Sequence, residues 1–309
     1  MTQADPTPAR RGHALLLINP GARSGADSLD AAPEALMAAG LGVEILAPEE
    51  GRPCGEAIAA RIAAAPPGRF DRIVVGGGDG TLNAAVPGVL KAGLPMGILP
   101  LGTANDLARS LGIPLDLEAA ARVSAQGVPR PVDLGEVNGH YFLNVASVGF
   151  SAALAAALKA EAKRRWGRWG YAVAAIRLLR RARPFTATLI HDGVTERVKT
   201  IQVSVGNGRH YGGGMTVAAD ARPDDGWLDV YSLEVTHWWR LLALIPWLRA
   251  GTHGRWRDVR AFRTRGPLEL RTRRPRPINT DGEIAGRTPA VFRLHRAALR
   301  VLVPPEPPE

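Results

Sequence analysis

Short, continuously apolar runs ending in glycine- or proline-rich turns set the rhythm of the first 110 residues. Residues 14–18 are apolar throughout and stop at Asn19-Pro20-Gly21, the signature of a strand buried on both faces. The pattern predicts a helix over about 27–39, a strand at 43–46 and a helix over about 54–65 that Pro66-Pro67-Gly68 stops. A strand at 72–75 follows and runs into Gly76-Gly77-Gly78-Asp79-Gly80, then a helix to about residue 92. Residues 96–99 read as the next strand and 103–111 as a helix ending before Gly112. Strands alternating with helices at this pace predict an α/β layer with a mostly parallel sheet.

Beyond about residue 130 the rhythm changes. Residues 132–137, 141–148, 186–191, 197–204, 228–233, 259–264, 268–272 and 291–302 all read as strands. Helical insertions at about 152–182 and 237–250 interrupt them. Many strands with few crossover helices predict an antiparallel, β-rich sandwich domain. The boundary falls near 129–131, giving an α/β domain at 12–130 and a β-rich domain at 131–303. A return of the last strand to the first domain is left open. The first ten residues and the closing PPEPPE have no core-forming pattern.

Composition narrows the class. Hydrophobic residues at 46% and charged residues at 22% exclude wholesale disorder. The longest apolar stretch, 241–248 with Pro246 inside, falls short of the ~20 residues that span a bilayer. A single cysteine, Cys54, excludes an intramolecular disulfide and fits a reducing, cytoplasmic compartment. The net charge of +10 is unevenly spread. Residues 1–130 hold 11 Lys/Arg against 13 Asp/Glu, and residues 131–309 hold 28 against 16. A basic second half admits nucleic acid, an anionic membrane surface or phosphorylated substrates as partners.

The glycine-rich turn carries the sharpest chemistry. A buried strand runs into three glycines and opens a helix, so backbone N–H groups can approach phosphate oxygens with no Cβ in the way. It is not a Walker A loop, since no Gly-Lys-Ser/Thr follows, and Asp79 breaks the GxGxxG dinucleotide pattern. A carboxylate beside phosphates repels them unless a divalent cation lies between, so Asp79 implies Mg²⁺. Gly77, Gly78, Gly80, Thr81 and Asn83 complete this candidate cradle. Leu99-Pro100-Leu101-Gly102-Thr103-Ala104-Asn105-Asp106 likewise leaves a strand and opens a helix, which Thr103 and Asn105 are positioned to cap. With Asn19 after the first strand, three polar turns meet at the carboxyl edge of a parallel sheet, where such folds bind nucleotides.

GGGDGTLNAA (76–85) followed by GILPLGTANDLARSLGIP (97–114) resembles the diacylglycerol kinase catalytic family, specifically its soluble bacterial lipid kinases. Relatives of the GGDG element occur in NAD kinases and phosphofructokinases; PLGTAND separates this chain from the NAD kinases. The resemblance extends through Asp133-Leu134-Gly135, 142–150, Val205-Gly206-Asn207-Gly208, Tyr211-Gly212-Gly213-Gly214, 223–229 and Asn279-Thr280-Asp281-Gly282-Glu283. It implies a phosphofructokinase-like nucleotide domain and transfer of the ATP γ-phosphoryl group to a hydroxyl of a diacylglycerol-like, phosphatidylglycerol or sphingoid lipid. A kinase of a soluble substrate and a non-catalytic lipid- or nucleotide-binding regulator remain the rivals.

The resemblance also implies roles. Glu283 is the candidate base that takes the hydroxyl proton. Asp281, on the same side if the segment is extended, assists it or binds metal. Around Asp224-Asp225-Gly226 it implies a second Mg²⁺ site made by the Asp225 carboxylate and the backbone carbonyls of Arg222 and Trp227. Read alone, that segment is a type I′ hairpin turn, and the two readings are compatible. One departure is the stretch Val43-Glu44-Ile45-Leu46-Ala47-Pro48, which lacks the threonine that often helps hold the nucleotide. Residues 159–183 combine nine Lys/Arg with Trp166, Trp169 and Tyr171, and 236–251 carries Trp238, Trp239 and Trp247. This composition suits a membrane interface, stacking on single-stranded nucleic acid, or a helix with its tryptophans in the core. The kinase resemblance favours the membrane. The expected partners are ATP and a lipid at the membrane surface, with a homodimer admitted and nucleic acid not expected.

Overall fold

The computed structural model describes residues 12–22, 28–47, 51–152, 183–208, 210–211, 215–216, 221–235, 240, 247, 250 and 256–305. They divide into two compact units. The first comprises Met1–Gly102, Ile113–Arg130 and Arg300–Glu309; the second comprises Thr103–Gly112 and Pro131–Leu299.

In the first unit, strands and helices alternate as β1 (His13–Ile18), α1 (Ser28–Ala38), β2 (Gly42–Leu46), α2 (Cys54–Ala63), β3 (Arg72–Gly77), α3 (Asp79–Ala92) and β4 (Met96–Pro100). All neighbours in the order β2-β1-β3-β4 pair in parallel. The apolar runs of β1 and β3 lie at this sheet's centre, with Leu15, Leu16, Ile73, Val74 and Val75 fully buried. The chain then forms α4 (Asp106–Ser110), which belongs to the second unit, and α5 (Leu117–Gln126), which belongs to the first. The helix predicted over 103–111 is therefore shorter, because Asn105 at its N-cap holds a left-handed backbone (φ 52°) and gives no side-chain cap. The hydropathy pattern leaves α5 unassigned, since its buried face is made of Ala120, Ala121 and Ser124 rather than large apolar residues. The Asp116 side chain starts it by accepting the Ala119 N–H at 2.9 Å.

The second unit is built from β5 (Val128–Val137), β6 (His140–Phe142), β7 (Val145–Gly149), β8 (Phe185–His191), β9 (Val194–Thr200), β10 (Gln202–Gly206), β11 (His210–Tyr211), β12 (Met215–Thr216), β13 (Leu228–Leu233), β14 (Val259–Thr264), β15 (Leu268–Thr272), β16 (Pro277–Thr280), β17 (Glu283–Arg287) and β18 (Ala290–Val303). One antiparallel layer runs β18-β15-β8-β9, with β5 and β6 beside β18; the other runs β14-β13-β10-β7-β16-β17. Their facing side chains form one core, including Phe142, Val148, Leu189, Val203, Leu270 and Phe292. β18 starts in this unit and, from Arg300 onward, belongs to the first, where Val301 pairs in parallel with Met96.

Two predicted strands are divided. The 197–204 run becomes β9 and β10, which lie in different sheets. The buried Thr200 hydroxyl marks the corner by donating toward the Gln202 and Leu233 carbonyls. The 141–148 run breaks at Leu143 and Asn144, whose N–H groups leave the ladder for the Asp281 carboxylate. The 152–182 insertion lies almost wholly outside the described residues, as do Trp166, Trp169, Tyr171, Trp238 and Trp239.

A hydrogen-bonded contact between β5 and β18 sets a pH dependence. The His295 Nε2 stands 2.6 Å from the Glu136 carboxylate. Burial pushes the Glu136 carboxyl up, but bonds from His295 and the Gly139 N–H and the nearby Arg293 charge outweigh it, leaving its pKa below the ordinary 4.5. A depressed folded-state value contributes stability that is full above 4.5 and lost as pH falls through the lowered value. Glu136→Gln is therefore expected to lower the urea midpoint at neutral pH, with the gap to wild type closing in strong acid.

Candidate active site

The carboxyl edge of the parallel sheet gathers three of the predicted turns. After β1, the Asn19 N–H binds the Gly76 carbonyl at 3.0 Å. The Asn19 side chain uses both ends, donating to Thr81 Oγ1 at 2.9 Å and accepting the Gly21 N–H at 2.9 Å. Thr81 is thereby fixed in the first turn of α3. After β4, the Leu101 N–H returns to the Gly77 carbonyl at 3.1 Å.

Space is short at two glycines of this edge, Gly77 and Gly78. A Cβ on Gly77 would stand 2.5 Å from the Thr81 Cβ, and one on Gly78 would stand 3.2 Å from the Gly102 Cα. Gly78 is the N-cap of α3 in an extended conformation (φ −93°, ψ −177°) and, as a glycine, has no side chain with which to cap it. A Cβ on Gly80, in the first turn of this 14-residue helix, would meet nothing within 4 Å among the described residues. A helix N-terminus with a glycine approach is suited to phosphate oxygens. Asp79 and Asn83 lie one turn apart on α3 and share a face. Thr103 is exposed and Asn105 buried; both belong to the second unit, where the Arg109 guanidinium caps the Ala104 carbonyl at 3.0 Å.

In the second unit, the separate motifs of the sequence are knitted into one hydrogen-bonded network. Asp133, only 4% exposed, accepts the Gly226 N–H and the Ala297 N–H, both at 2.7 Å. Its backbone N–H binds the Pro223 carbonyl, also at 2.7 Å. Asn207 Nδ2 donates to the Asp133 and Leu143 carbonyls at 2.8 and 3.0 Å. Asp281 closes the network by accepting the N–H groups of Leu143, Asn144 and Val145 at 2.6, 3.1 and 2.9 Å.

Asp281 and Glu283 do not share one side of an extended segment. Asp281 (φ 47°) and Gly282 (φ 96°) form the two-residue loop between β16 and β17, the left-handed pair of a tight hairpin. The Asp281 carboxylate is turned to the 143–145 backbone, while Glu283 starts β17 opposite Thr280 and is exposed. Sequence spacing could not pair Asp281 with groups so distant in the chain.

Around Asp225 the prediction of a type I′ turn is not met, because Gly226 (φ 75°) is the sole left-handed residue of 221–227. The Asp225 carboxylate instead accepts the N–H groups of Arg222 and Trp227 at 3.2 and 3.0 Å. The loop thus turns the N–H groups of both predicted partner residues, not their carbonyl oxygens, toward the Asp225 carboxylate. Among the described residues, no three His, Cys, Asp or Glu side chains cluster as a metal site. A cation here would depend on backbone oxygen and water.

Residues 13–137 match the diacylglycerol kinase catalytic domain, and residues 144–303 match the YegS C-terminal NAD kinase beta sandwich-like domain. The chain belongs to this diacylglycerol kinase-like family of lipid kinases. It is 33% identical over 297 residues to "Probable lipid kinase YegS-like" of Pseudomonas fluorescens (strain Pf-5), covering 95% of this chain and 96% of that protein. It is 30% identical over 243 residues to "Diacylglycerol kinase" of Bacillus subtilis (strain 168), covering 78% and 80%. Among solved structures, a "putative diacylglycerol kinase" of Bacillus anthracis str. Sterne aligns with a TM-score of 0.78 at 25% identity, covering 98% of both chains.

Proposed function

We propose that the chain is an ATP-dependent lipid kinase acting on a hydroxyl of a diacylglycerol-like lipid, collected at a membrane surface. The observation that carries this reading is the glycine-lined N-terminus of α3, buttressed by the Asn19–Thr81 bond, in a chain aligned along nearly its whole length with a lipid-kinase relative. The acceptor oxygen forms a bond to the γ-phosphorus while the bond to the β–γ bridging oxygen breaks and ADP leaves. Glu283 accepts the acceptor's proton, a task suited to a carboxylate as the hydroxyl loses its hydrogen. Gly77, Gly78, Gly80 and Gly102 admit the phosphates to backbone donors, Thr81 and Asn19 hold that shape, and Asp79 and Asn83 present oxygen to their cation. Bound Mg²⁺ neutralises phosphate charge and orients the leaving group. A structural cation would be held by the Asp225 carboxylate with the backbone carbonyls of Arg222 and Trp227. Among the described residues no helix is long and apolar enough to cross a membrane, so the lipid is reached without a spanning segment in that part of the chain.

The beta sandwich-like description of the second domain favours a second reading, a kinase of a soluble nucleotide such as NAD. Labelled ATP with Mg²⁺, offered with diacylglycerol, phosphatidylglycerol and ceramide in mixed micelles and separately with NAD, decides between them. Label in lipid alone supports the proposal; label in NAD alone replaces it.

A methyl group in the cradle tests the phosphate end. Gly78→Ala sets a Cβ against the Gly102 backbone, which cannot swing aside as a side chain can. The expected result is a rise in KM for ATP of at least ~10-fold with a smaller change in thermal midpoint.

A further inference from the structure

The β18-β15-β8-β9 layer carries a cationic cleft that the phosphoryl-transfer reading does not use. Register places Arg197 of β9, Thr188 of β8 and Arg271 of β15 in one row. Strand alternation sends Phe185, Ala187 and Leu189 to the core and leaves Thr186 and Thr188 on the other face. After β15 the chain reads Arg273-Arg274-Pro275-Arg276 and folds over this row. Its shape is pinned. The Thr272 hydroxyl donates to the Arg274 carbonyl at 2.9 Å, and Thr288 Oγ1 accepts the Arg276 N–H at 2.9 Å. The Arg276 guanidinium rests 3.9 Å above the Phe185 ring. The result is an open cavity of about 550 Å³ lined by five arginines and three threonines.

Five like charges around one cleft repel each other and favour a counter-charge between them. Arg271 has one, in the Glu269 carboxylate, with Nη2 to Oε2 at 3.0 Å. Among the described residues, no carboxylate pairs with the guanidinium groups of Arg197, Arg273 or Arg274. Burial draws the Arg276 pKa below its ordinary value, a cost that a bound anion would offset. Guanidinium forks match the paired oxygens of a phosphoryl group, and threonine hydroxyls can donate to the remaining ones. A single-stranded nucleic acid fits less well. Phe185 is the cleft's one aromatic residue, and it is buried beneath Arg276, with little face for a base to stack on.

We propose that this cleft is a second anion site, separate from the residues assigned to transfer, which binds the phosphoryl group of a lipid headgroup or of a soluble phosphate. Its test uses the full chain without nucleotide, so the result is independent of whether the kinase reading holds. Sedimentation with phosphatidylcholine vesicles, with and without phosphatidic acid, probes the headgroup; titration calorimetry with inorganic phosphate probes the free anion. The cleft variant is Arg197→Gln/Arg273→Gln/Arg274→Gln, all exposed side chains. Arg122→Gln/Arg257→Gln/Arg293→Gln removes the same charge elsewhere, and thermal melting checks both folds. The cleft variant is expected to lose about 10- to 100-fold in affinity for whichever probe the wild type binds, and the charge-matched variant far less. Binding of phosphate in solution assigns the site to a soluble phosphate; binding only on phosphatidic acid vesicles assigns it to a headgroup. The proposal fails if the wild type binds neither probe, if the two variants weaken equally, or if only a single-stranded oligonucleotide is bound.

Discussion

Glu283→Gln is expected to lower phosphoryl transfer to lipid by about 100- to 10,000-fold, the usual worth of a positioned general base, while ATP binding stays near the wild-type level. The substitution keeps the side chain's size and removes only its capacity to take a proton at neutral pH. It falls on an exposed position at the start of β17, beyond the hairpin loop that Asp281 anchors. An unchanged melting curve separates a loss of rate from a loss of fold. Single-turnover transfer with saturating ATP and a micellar lipid is the measurement. Equal rates for variant and wild type would take Glu283 out of its assigned role, whichever lipid is the acceptor.

The largest effect on stability is expected at Asp133. Alanine there strips the acceptor from the Gly226 and Ala297 N–H groups, each bonded at 2.7 Å to a side chain that is 4% exposed. Bonds to a charged acceptor contribute about 1.5–3 kcal/mol each, and a buried donor left alone bears its desolvation cost. Ala297 adds to this, because it holds a left-handed backbone (φ 51°) that an alanine adopts at a cost of roughly 1–2 kcal/mol. Asp133→Ala is expected to destabilise the second unit by about 3–5 kcal/mol, read as a shift of the urea midpoint followed by a probe in that unit. A shift below ~1 kcal/mol would mean that water replaces the carboxylate.

The first unit was largely legible because parallel strands buried on both faces write themselves as unbroken apolar runs, as in β1 and β3. The glycine turn was legible for a related reason. Gly77 and Gly78 are demanded by neighbours a few residues away in the chain or in the adjacent turn. Hydropathy could not show the corner at Ile201, since the residues on either side are equally buried and only the Thr200 hydroxyl reveals the change of sheet. Nor could it show α5, whose inward face is alanine and serine. The work of Asp281 was hidden because its donors lie in the β6–β7 connection, far away in the chain. The arginine cleft was spelled out as Arg271-Thr272-Arg273-Arg274-Pro275-Arg276, yet only strand register brings Arg197 into line with it.

The last strand governs when the first unit can mature during synthesis. Val301 supplies a partner to Met96, so the edge of that parallel sheet stays open while all the intervening chain leaves the ribosome. An open edge is a site for pairing with the wrong chain. A stop codon placed before Arg300 should leave the N-terminal sheet with that exposed edge and yield aggregated rather than merely shortened protein. A fragment ending at the 129–131 boundary should share this fate, and a detached C-terminal strand peptide supplied in trans is the natural remedy to try.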